Sequence, residues 1–127
     1  MKFTFNKKDK LKSLKVIEKL FLEGKSVSVF PLRLVYLETT HPDGTTIKSA
    51  VSVSKRNFKK AVTRNRIKRL LREAYRINKP IYFNNIPTSY ALMILYLGKD
   101  EPDFEFVNTK LKLLLSSFID KVSADKI

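Results

Sequence analysis

Hydrophobic residues recur at three- and four-residue spacing near both ends of the chain, which is the pattern of helices packed on a core. The first stripe predicts a helix over about residues 13–23, and Gly24 then suits a left-handed helix cap. The last stripe predicts a C-terminal helix, and acidic residues lie near its positive end. The stripes are Leu11, Leu14, Ile17, Leu20 and Phe21, then Phe104, Val107, Leu111, Leu114, Leu115, Phe118 and Val122; the acidic residues are Asp100, Glu101, Asp103 and Glu105.

Three segments between these helices have the composition of β-strands. Residues 29–39 and 47–54 are rich in β-branched and aromatic types, and the His-Pro-Asp-Gly turn at 41–44 predicts that they form an antiparallel hairpin. Residues 89–97, SYALMILYL, are apolar throughout, which predicts a central strand buried on both faces. Residues 78–88 contain two prolines and are predicted to form a loop.

The predicted order of elements, α-β-β-α-β-α, indicates an α+β fold, a two-layer sandwich with a small mixed sheet packed by helices. With 127 residues, the chain has the length of one domain, so we expect residues 1–127 to fold as a single unit. About the first ten residues are rich in lysine and are expected to be mobile.

Charge is the most unusual property of the sequence. The chain has 26 Lys plus Arg against 12 Asp plus Glu, a net charge of +14. Residues 55–76 alone hold ten basic residues and one acidic residue, so a polyanionic partner is expected to meet this segment.

This basic segment is predicted to be a helix with two different faces. At about 100° per residue, one face is apolar and suits docking on a sheet. On the opposite face the i,i+4 pairs Asn65/Arg69, Lys68/Arg72 and Arg72/Arg76 contain no acidic member, whereas a solvated helix face usually mixes charges. Arginine predominates, and a guanidinium can bind phosphate oxygens in pairs. The apolar face holds Ile67, Leu70, Leu71, Ala74 and Tyr75; the polar face holds Asn65, Lys68, Arg69, Arg72 and Arg76, flanked by Arg64 and Arg66.

Several classes of partner can be compared on this basis. A helix-turn-helix DNA reader needs a second helix just before the recognition helix, but a strand is predicted there, so no DNA partner is expected. A membrane-surface or acidic-protein binder is disfavoured by the Arg-Asn pattern and the docked apolar face. A protein that binds structured RNA, such as a ribosomal protein, fits better.

The sequence offers little for catalysis by the protein itself. There is no cysteine, only three glycines, and a single histidine, His41, which lies in the predicted turn. No catalytic residue or metal site is therefore expected. There is no apolar run of signal-peptide or membrane-spanning length, so we expect a soluble, cytoplasmic protein.

The run SVSKRNFKKAVTRNRIKRLLREAYR, residues 52–76, resembles the signature of the bacterial ribonuclease P protein subunit. The hallmark is an Arg-Asn-Arg motif followed by Lys-Arg and a further Arg, and the resemblance extends over about residues 11–122. The motif positions are Arg64, Asn65, Arg66, Lys68, Arg69 and Arg72.

The resemblance implies a fold with a left-handed βαβ crossover, which departs from the usual handedness of such connections. It also implies that the chain, as a monomer in a ribonucleoprotein, binds a catalytic RNA and precursor tRNA and promotes endonucleolytic removal of the 5′ leader. The protein alone is expected not to be catalytic, because the RNA and Mg²⁺, held mainly by the RNA, carry the chemistry. A non-catalytic structured-RNA-binding protein of the ribosomal type is the alternative.

The resemblance further implies a cleft between the first helix and the sheet in which leader nucleotides lie. Aromatic and basic side chains suit this task, because they stack on bases and neutralise phosphates. An aromatic residue is common in the family where this chain has Ile17. The implied leader-binding positions are Ile17, Phe21, Val35 or Tyr36, Ser52, Lys55 and Arg56.

Overall fold

The computed structural model describes residues 9–84, 86 and 88–125. Within them, three helices and four strands confirm the α+β class. The elements are α1 (Leu14–Glu23), β1 (Lys25–Val29), β2 (Leu32–Glu38), β3 (Ile47–Val53), α2 (Ala61–Tyr82), β4 (Tyr90–Tyr96) and α3 (Phe104–Asp125).

The strands form one mixed sheet in the order β1-β2-β4-β3. Strand β4 lies inside the sheet, antiparallel to β2 and parallel to β3, and all of its residues except Leu95 are buried. The prediction of a central strand buried on both faces is confirmed. The β3-α2-β4 segment is the βαβ crossover, and its left-handedness stays a prediction from the family resemblance.

The predicted hairpin between residues 29–39 and 47–54 is wrong. The two segments do reverse direction, but β4 lies between β2 and β3 and pairs with both. The connection of residues 39–46 is long enough to pass across the end of β4. Because β4 is the most apolar strand, a central position buries it better than an edge would.

Strand β1 was not predicted, because residues 29–39 were interpreted as one strand. A turn at Phe30 and Pro31 divides this segment, and β1 pairs antiparallel with β2, with Lys25 opposite Tyr36. A proline has no N–H to donate to a strand ladder, so the chain breaks here.

The predicted loop at residues 78–88 is wrong over its first part, because α2 continues through Pro80 to Tyr82. Tyr82 packs against the core, which favours the last turn despite the missing proline N–H. The amide of Asn78 also links the helices, donating to the Ala74 carbonyl at 2.8 Å and to Asn108 Oδ1 at 2.7 Å. Residues 85 and 87 lie outside the described residues.

The two faces of the sheet are covered unequally. The closed face, as we call it, is covered by α2 and α3, and it includes the predicted apolar stripes of both helices. The open face is covered only in part, by α1 and Leu11. Its small core consists of Leu11, Leu20, Val35, Ala91 and Met93.

Helix α1 is defined by a residue at each end. Ser13 Oγ accepts a hydrogen bond from the N–H of Val16 at 3.3 Å, which caps the helix start. Gly24 ends the helix with φ −69°, so the predicted left-handed cap is wrong. Glycine is needed there for close packing instead, because a Cβ atom would lie 2.2 Å from the Leu20 carbonyl oxygen and 2.9 Å from that of Tyr36.

The chain before α1 lies against the edge of the sheet. Asp9 forms an ion pair with Lys79 at 3.0 Å. Lys10 forms an isolated parallel β-bridge with Ser49, and the N–H of Leu11 donates to the Ser49 carbonyl at 2.9 Å. The predicted mobility of the first ten residues therefore does not hold for Asp9 and Lys10. Residues 1–8 lie outside the described residues.

Candidate nucleic-acid interface

The outer face of α2 presents cations that have no acidic partner in the described part of the chain. The helix docks through Ile67, Leu71, Ala74, Tyr75 and Asn78, all buried. This orientation turns the polar face outward as predicted: Asn65, Arg69 and Arg72 are exposed, and Lys68 is half-buried. No ion pair is found for Lys68, Arg69 or Arg72 within residues 9–84, 86 and 88–125.

Two other arginines of the same helix are paired with carboxylates. Arg66 Nη1 lies 2.7 Å from Glu101 Oε1, which belongs to the loop before α3. Arg76 binds Glu73 one turn earlier, and its guanidinium lowers the pKa of that carboxyl below its ordinary value. These pairs are solvent-exposed and so contribute little stability, but they reduce the charge that each arginine offers to another anion.

Arg64 has a contact inside the protein that the sequence did not indicate. Its Nη1 donates to the carbonyl oxygens of Phe58 at 2.8 Å and Lys59 at 2.9 Å. These carbonyls belong to residues 54–60, which we call the β3–α2 connection. Arg64 therefore fixes this connection to the first turn of α2, whether or not its other nitrogens bind RNA.

On the open face, α1 packs on the sheet through one side and exposes its other side to solvent. Ile17 is half-buried against the small core, and Phe21, one turn later, is 54% exposed. Glu23, at the end of α1, lines a cavity with Leu37 and Glu38 near one end of the sheet. The ring of Phe21 is accessible to a ligand.

The alternative positions Val35 and Tyr36 lie on opposite faces of the sheet. Val35 is buried beneath α1 in the small core. Tyr36 is buried in the closed face, where its ring packs against Phe118 with centroids 4.9 Å apart. Tyr36 is therefore a core residue, and its assignment to the leader cleft is wrong. Alternation along the strand already places it with Leu34, so the sequence contained the signal.

The uncovered end of the open face joins the cleft to the basic segment. Arg33, Leu95 and Ser52 are neighbours in register on β2, β4 and β3. Arg33 is exposed and Ser52 is half-buried, and Lys55 and Arg56 are exposed in the connection that follows β3. Arg33 was missed by the sequence analysis, although it shares the face of Val35 by alternation. Cationic groups thus continue from the cleft to the start of α2.

His41 is a turn residue, as predicted. Its carbonyl accepts from the N–H of Gly44 at 3.0 Å, and Gly44 has φ +80°, which suits glycine. Its ring is buried, and Nε2 lies 2.9 Å from the Tyr90 carbonyl oxygen, so in the neutral ring Nε2 is the donor. The ring fastens the turn to β4.

The acidic residues near α3 mark a helix start, as predicted. Asp103 Oδ1 accepts from the N–H of Phe106 at 2.8 Å, and Glu105 lies in the first turn. Among the residues that the structure describes, no group of three or more His, Asp or Glu side chains could hold a metal ion. None of the helices found in those residues is both long and apolar enough to cross a membrane.

Comparison with known proteins identifies the family. The family model described as Ribonuclease P matches residues 5–118. The chain belongs to the ribonuclease P protein family. A ribonuclease P protein component is a subunit of an endoribonuclease that processes the 5′ end of tRNA, so the family establishes an RNA partner in a ribonucleoprotein.

Three ribonuclease P protein components show the extent of the similarity. The protein of Porphyromonas gingivalis is 37% identical over 113 residues, 87% of this chain and 82% of the relative. That of Chlorobium phaeobacteroides is 32% identical, covering 88% and 86% of the two chains. That of Dictyoglomus thermophilum is 32% identical, covering 98% and 96%.

Solved ribonuclease P proteins have the same fold. The protein from Thermotoga maritima superimposes with a TM-score of 0.67 at 25% identity, over 84% of this chain and 96% of that one. The Staphylococcus aureus protein gives a TM-score of 0.67 at 18% identity, over 85% and 93%. The fold is thus shared at low sequence identity.

Proposed function

We propose that this chain binds the catalytic RNA of ribonuclease P through the outer face of α2 and the 5′ leader of precursor tRNA through the open face. By doing so it promotes endonucleolytic removal of the leader. The observation that carries the proposal is the row of cations on α2 without acidic partners, which continues through the β3–α2 connection to an uncovered cleft.

The catalytic RNA is assigned to α2 because its unpaired cations form one surface. Lys68, Arg69 and Arg72 can each take a phosphate without losing a carboxylate partner. Arg66 and Arg76 would have to exchange Glu101 and Glu73 for phosphate, so their net contributions should be smaller. Arg64 and Asn65 complete the proposed RNA-binding set.

The leader is assigned to the uncovered end of the open face. Phe21 offers an aromatic ring to a base, and Lys55 and Arg56 offer charge to the phosphates on either side of it. Ile17 and Val35 belong to the small core beneath α1, and Ser52 is half-buried on β3; we assign all three to the same leader site. Contacts to the leader are absent for mature tRNA, so substrate is held more tightly than product.

The chemistry is assigned to the RNA with Mg²⁺. RNA phosphates are the oxygen ligands that Mg²⁺ prefers, and the described carboxylates do not converge on one point. The cations of α2 would reduce the repulsion between two polyanions and so lower the Mg²⁺ concentration that cleavage needs. We expect one copy of the chain in each ribonucleoprotein, acting in the cytoplasm.

The test is multiple-turnover cleavage of a precursor tRNA by the cognate catalytic RNA at low Mg²⁺, with and without the protein. We expect strong stimulation by the wild-type protein and little by the double variant Arg69→Ala/Arg72→Ala. The variant should bind the catalytic RNA at least about tenfold more weakly, because two charge-assisted contacts are lost. The slope of log affinity against log salt should fall by about two.

The matched control is Lys19→Ala/Lys112→Ala, which removes the same net charge from two exposed positions on α1 and α3. Arg64 is left unchanged, because its removal would also release the Phe58 and Lys59 carbonyls. If both double variants lose the same affinity for the catalytic RNA, the effect comes from net charge alone and not from the α2 surface. Tight, salt-sensitive RNA binding without any stimulation of cleavage would favour the alternative, a structured-RNA protein of the ribosomal type.

A further inference from the structure

The β3–α2 connection joins the two proposed RNA surfaces and carries much of their charge. Four of its seven residues are basic: Lys55, Arg56, Lys59 and Lys60. Mutual repulsion and solvent exposure would favour a mobile loop. The connection is instead held by side-chain contacts on both its sheet side and its helix side.

On the sheet side, Asn57 is the point of attachment. Its Nδ2 lies 3.2 Å from the carbonyl oxygen of Gly98 and 3.4 Å from that of Leu97. Both acceptors lie in the β4–α3 loop, residues 97–103, forty residues further along the chain. The Asn57 amide therefore links the cationic connection to the loop that follows the central strand.

The acceptors of Asn57 are themselves fixed. Tyr96 Oη donates to the Asp100 carbonyl at 2.5 Å, which closes the loop over the tyrosine ring. At Gly98 a Cβ atom would lie 2.6 Å from Tyr96 Oη and 2.7 Å from its Cζ, so the backbone is pressed against that ring. Phe58, the residue after Asn57, also packs on Tyr96 with ring centroids 6.0 Å apart.

On the helix side, Arg64 holds the other end of the connection through the Phe58 and Lys59 carbonyls. Arg64 thus joins the connection to α2, and Asn57 joins it to β4. Residues 55 and 56 lie in a turn between β3 and the Asn57 attachment, where Ser54 Oγ also accepts from the N–H of Arg56 at 3.1 Å. Asn57 therefore contributes to their position relative to the cleft.

We propose that Asn57 is a positioning residue for leader recognition. It holds Lys55 and Arg56 at the uncovered end of the open face, and it does so without contacting RNA itself. This inference rests on the proposed function of the cleft. It implies that loss of the Asn57 amide weakens binding of leader-bearing substrate, while assembly with the catalytic RNA through α2 is retained.

The test compares Asn57→Leu, which keeps the branching and the number of side-chain heavy atoms but has no donor, with Asn57→Gln, which keeps an amide. The matched control is Asn84→Leu, at an exposed asparagine with no side-chain hydrogen bond found among the described residues. Each protein is assembled with the catalytic RNA. Dissociation constants are measured for the catalytic RNA, for precursor tRNA and for mature tRNA, after thermal unfolding has been recorded.

For Asn57→Leu we expect the preference for precursor over mature tRNA to fall about three- to tenfold, since one or two hydrogen bonds are lost. Affinity for the catalytic RNA should stay within about twofold of wild type. Asn57→Gln should recover part of the preference, and Asn84→Leu should keep all of it.

The inference is overturned if the wild type shows the preference and Asn57→Leu retains it. It is equally overturned if Asn57→Leu loses the folded state, or if both RNA affinities fall by the same factor, because Asn57 would then be merely structural. A wild-type complex that does not distinguish precursor from mature tRNA would instead remove the proposed leader site, and this inference with it.

Discussion

Among the described residues, α2 and α3 enclose a core of twenty buried residues on the closed face of the sheet, whereas α1 encloses five on the open face. Hydrophobic stabilisation follows buried area, so most of it must come from the closed face. The open face has less core because α1 leaves one end of the sheet uncovered, with Arg33 and Phe21 exposed. The comparison separates the residues that hold the fold from those that are available to RNA.

The largest expected effect is on the closed face, at Phe118. This ring is fully buried and makes edge contacts with Tyr36, Tyr90 and Phe83 at centroid distances of 4.9, 5.4 and 5.8 Å. Phe118→Ala should lower the free energy of unfolding by about 3–5 kcal/mol through the cavity that it leaves. Urea denaturation measures this, and a loss below about 1 kcal/mol would contradict the assignment of stability to this face.

A smaller loss of stability is expected on the open face, at Leu20. Leu20 is fully buried between α1 and the sheet, but its core is small. Leu20→Ala should cost about 2 kcal/mol, the low end for such a truncation. Leu22→Ala, at a side chain that is 85% exposed on the same helix, is the control and should change stability by less than about 0.5 kcal/mol. A cost for Leu20→Ala as large as that for Phe118→Ala would remove the contrast between the two faces.

At Phe21, unlike at Phe118 and Leu20, the expected effect is on RNA binding and not on stability. Phe21→Ala should weaken binding of precursor tRNA to the assembled ribonucleoprotein by about 1–2 kcal/mol, the contribution of one stacked base. Its effect on unfolding should be small, since the ring is 54% exposed. Phe106→Ala, at an exposed phenylalanine on α3, is the matched control and should leave precursor affinity unchanged. If Phe106→Ala has the same effect as Phe21→Ala, the open face is not the leader site.

The smallest expected effect is a fall in stability at alkaline pH, caused by a buried tyrosine on the closed face. Burial of Tyr75 disfavours its phenolate and raises its pKa above the ordinary value near 10. In the unfolded chain Tyr75 ionises from about pH 10, whereas in the folded protein it stays protonated, so stability falls as pH rises beyond that point. Tyr75→Phe should flatten this fall in urea denaturation at pH 9–11. An unchanged pH dependence would show that Tyr75 does not contribute.

The sequence predicted those parts of the fold that local patterns determine. The stripe of α3, the acidic start of that helix and the two faces of α2 all follow from spacing along one helix. The stripe of α1 was predicted only in part, because Leu20 is buried but Leu14 is 76% exposed. Strand β1 was missed because residues 25–28 were assigned to no element and Val29 was joined to the strand that follows Pro31. The insertion of β4 between β2 and β3 depends on contacts between distant segments, which periodicity cannot indicate.

The same limit applies to the candidate site. The exposure of Arg69 and Arg72 was predicted from helical spacing. The pairing of Arg66 with Glu101 and the contact of Arg64 with the Phe58 carbonyl depend on where loops meet in space. Composition therefore showed how much positive charge the helix carries, and only the fold showed which cations are free to meet RNA.

The most direct test of the account is to map where the leader lies on the assembled ribonucleoprotein. A precursor tRNA with a photoreactive base at successive leader positions is crosslinked, and the attached peptides are identified. We expect crosslinks on the open face, in α1 around Phe21 and in residues 52–56, and their loss with unlabelled precursor tRNA as competitor. Crosslinks confined to α3 or to the closed-face side of the sheet would contradict it.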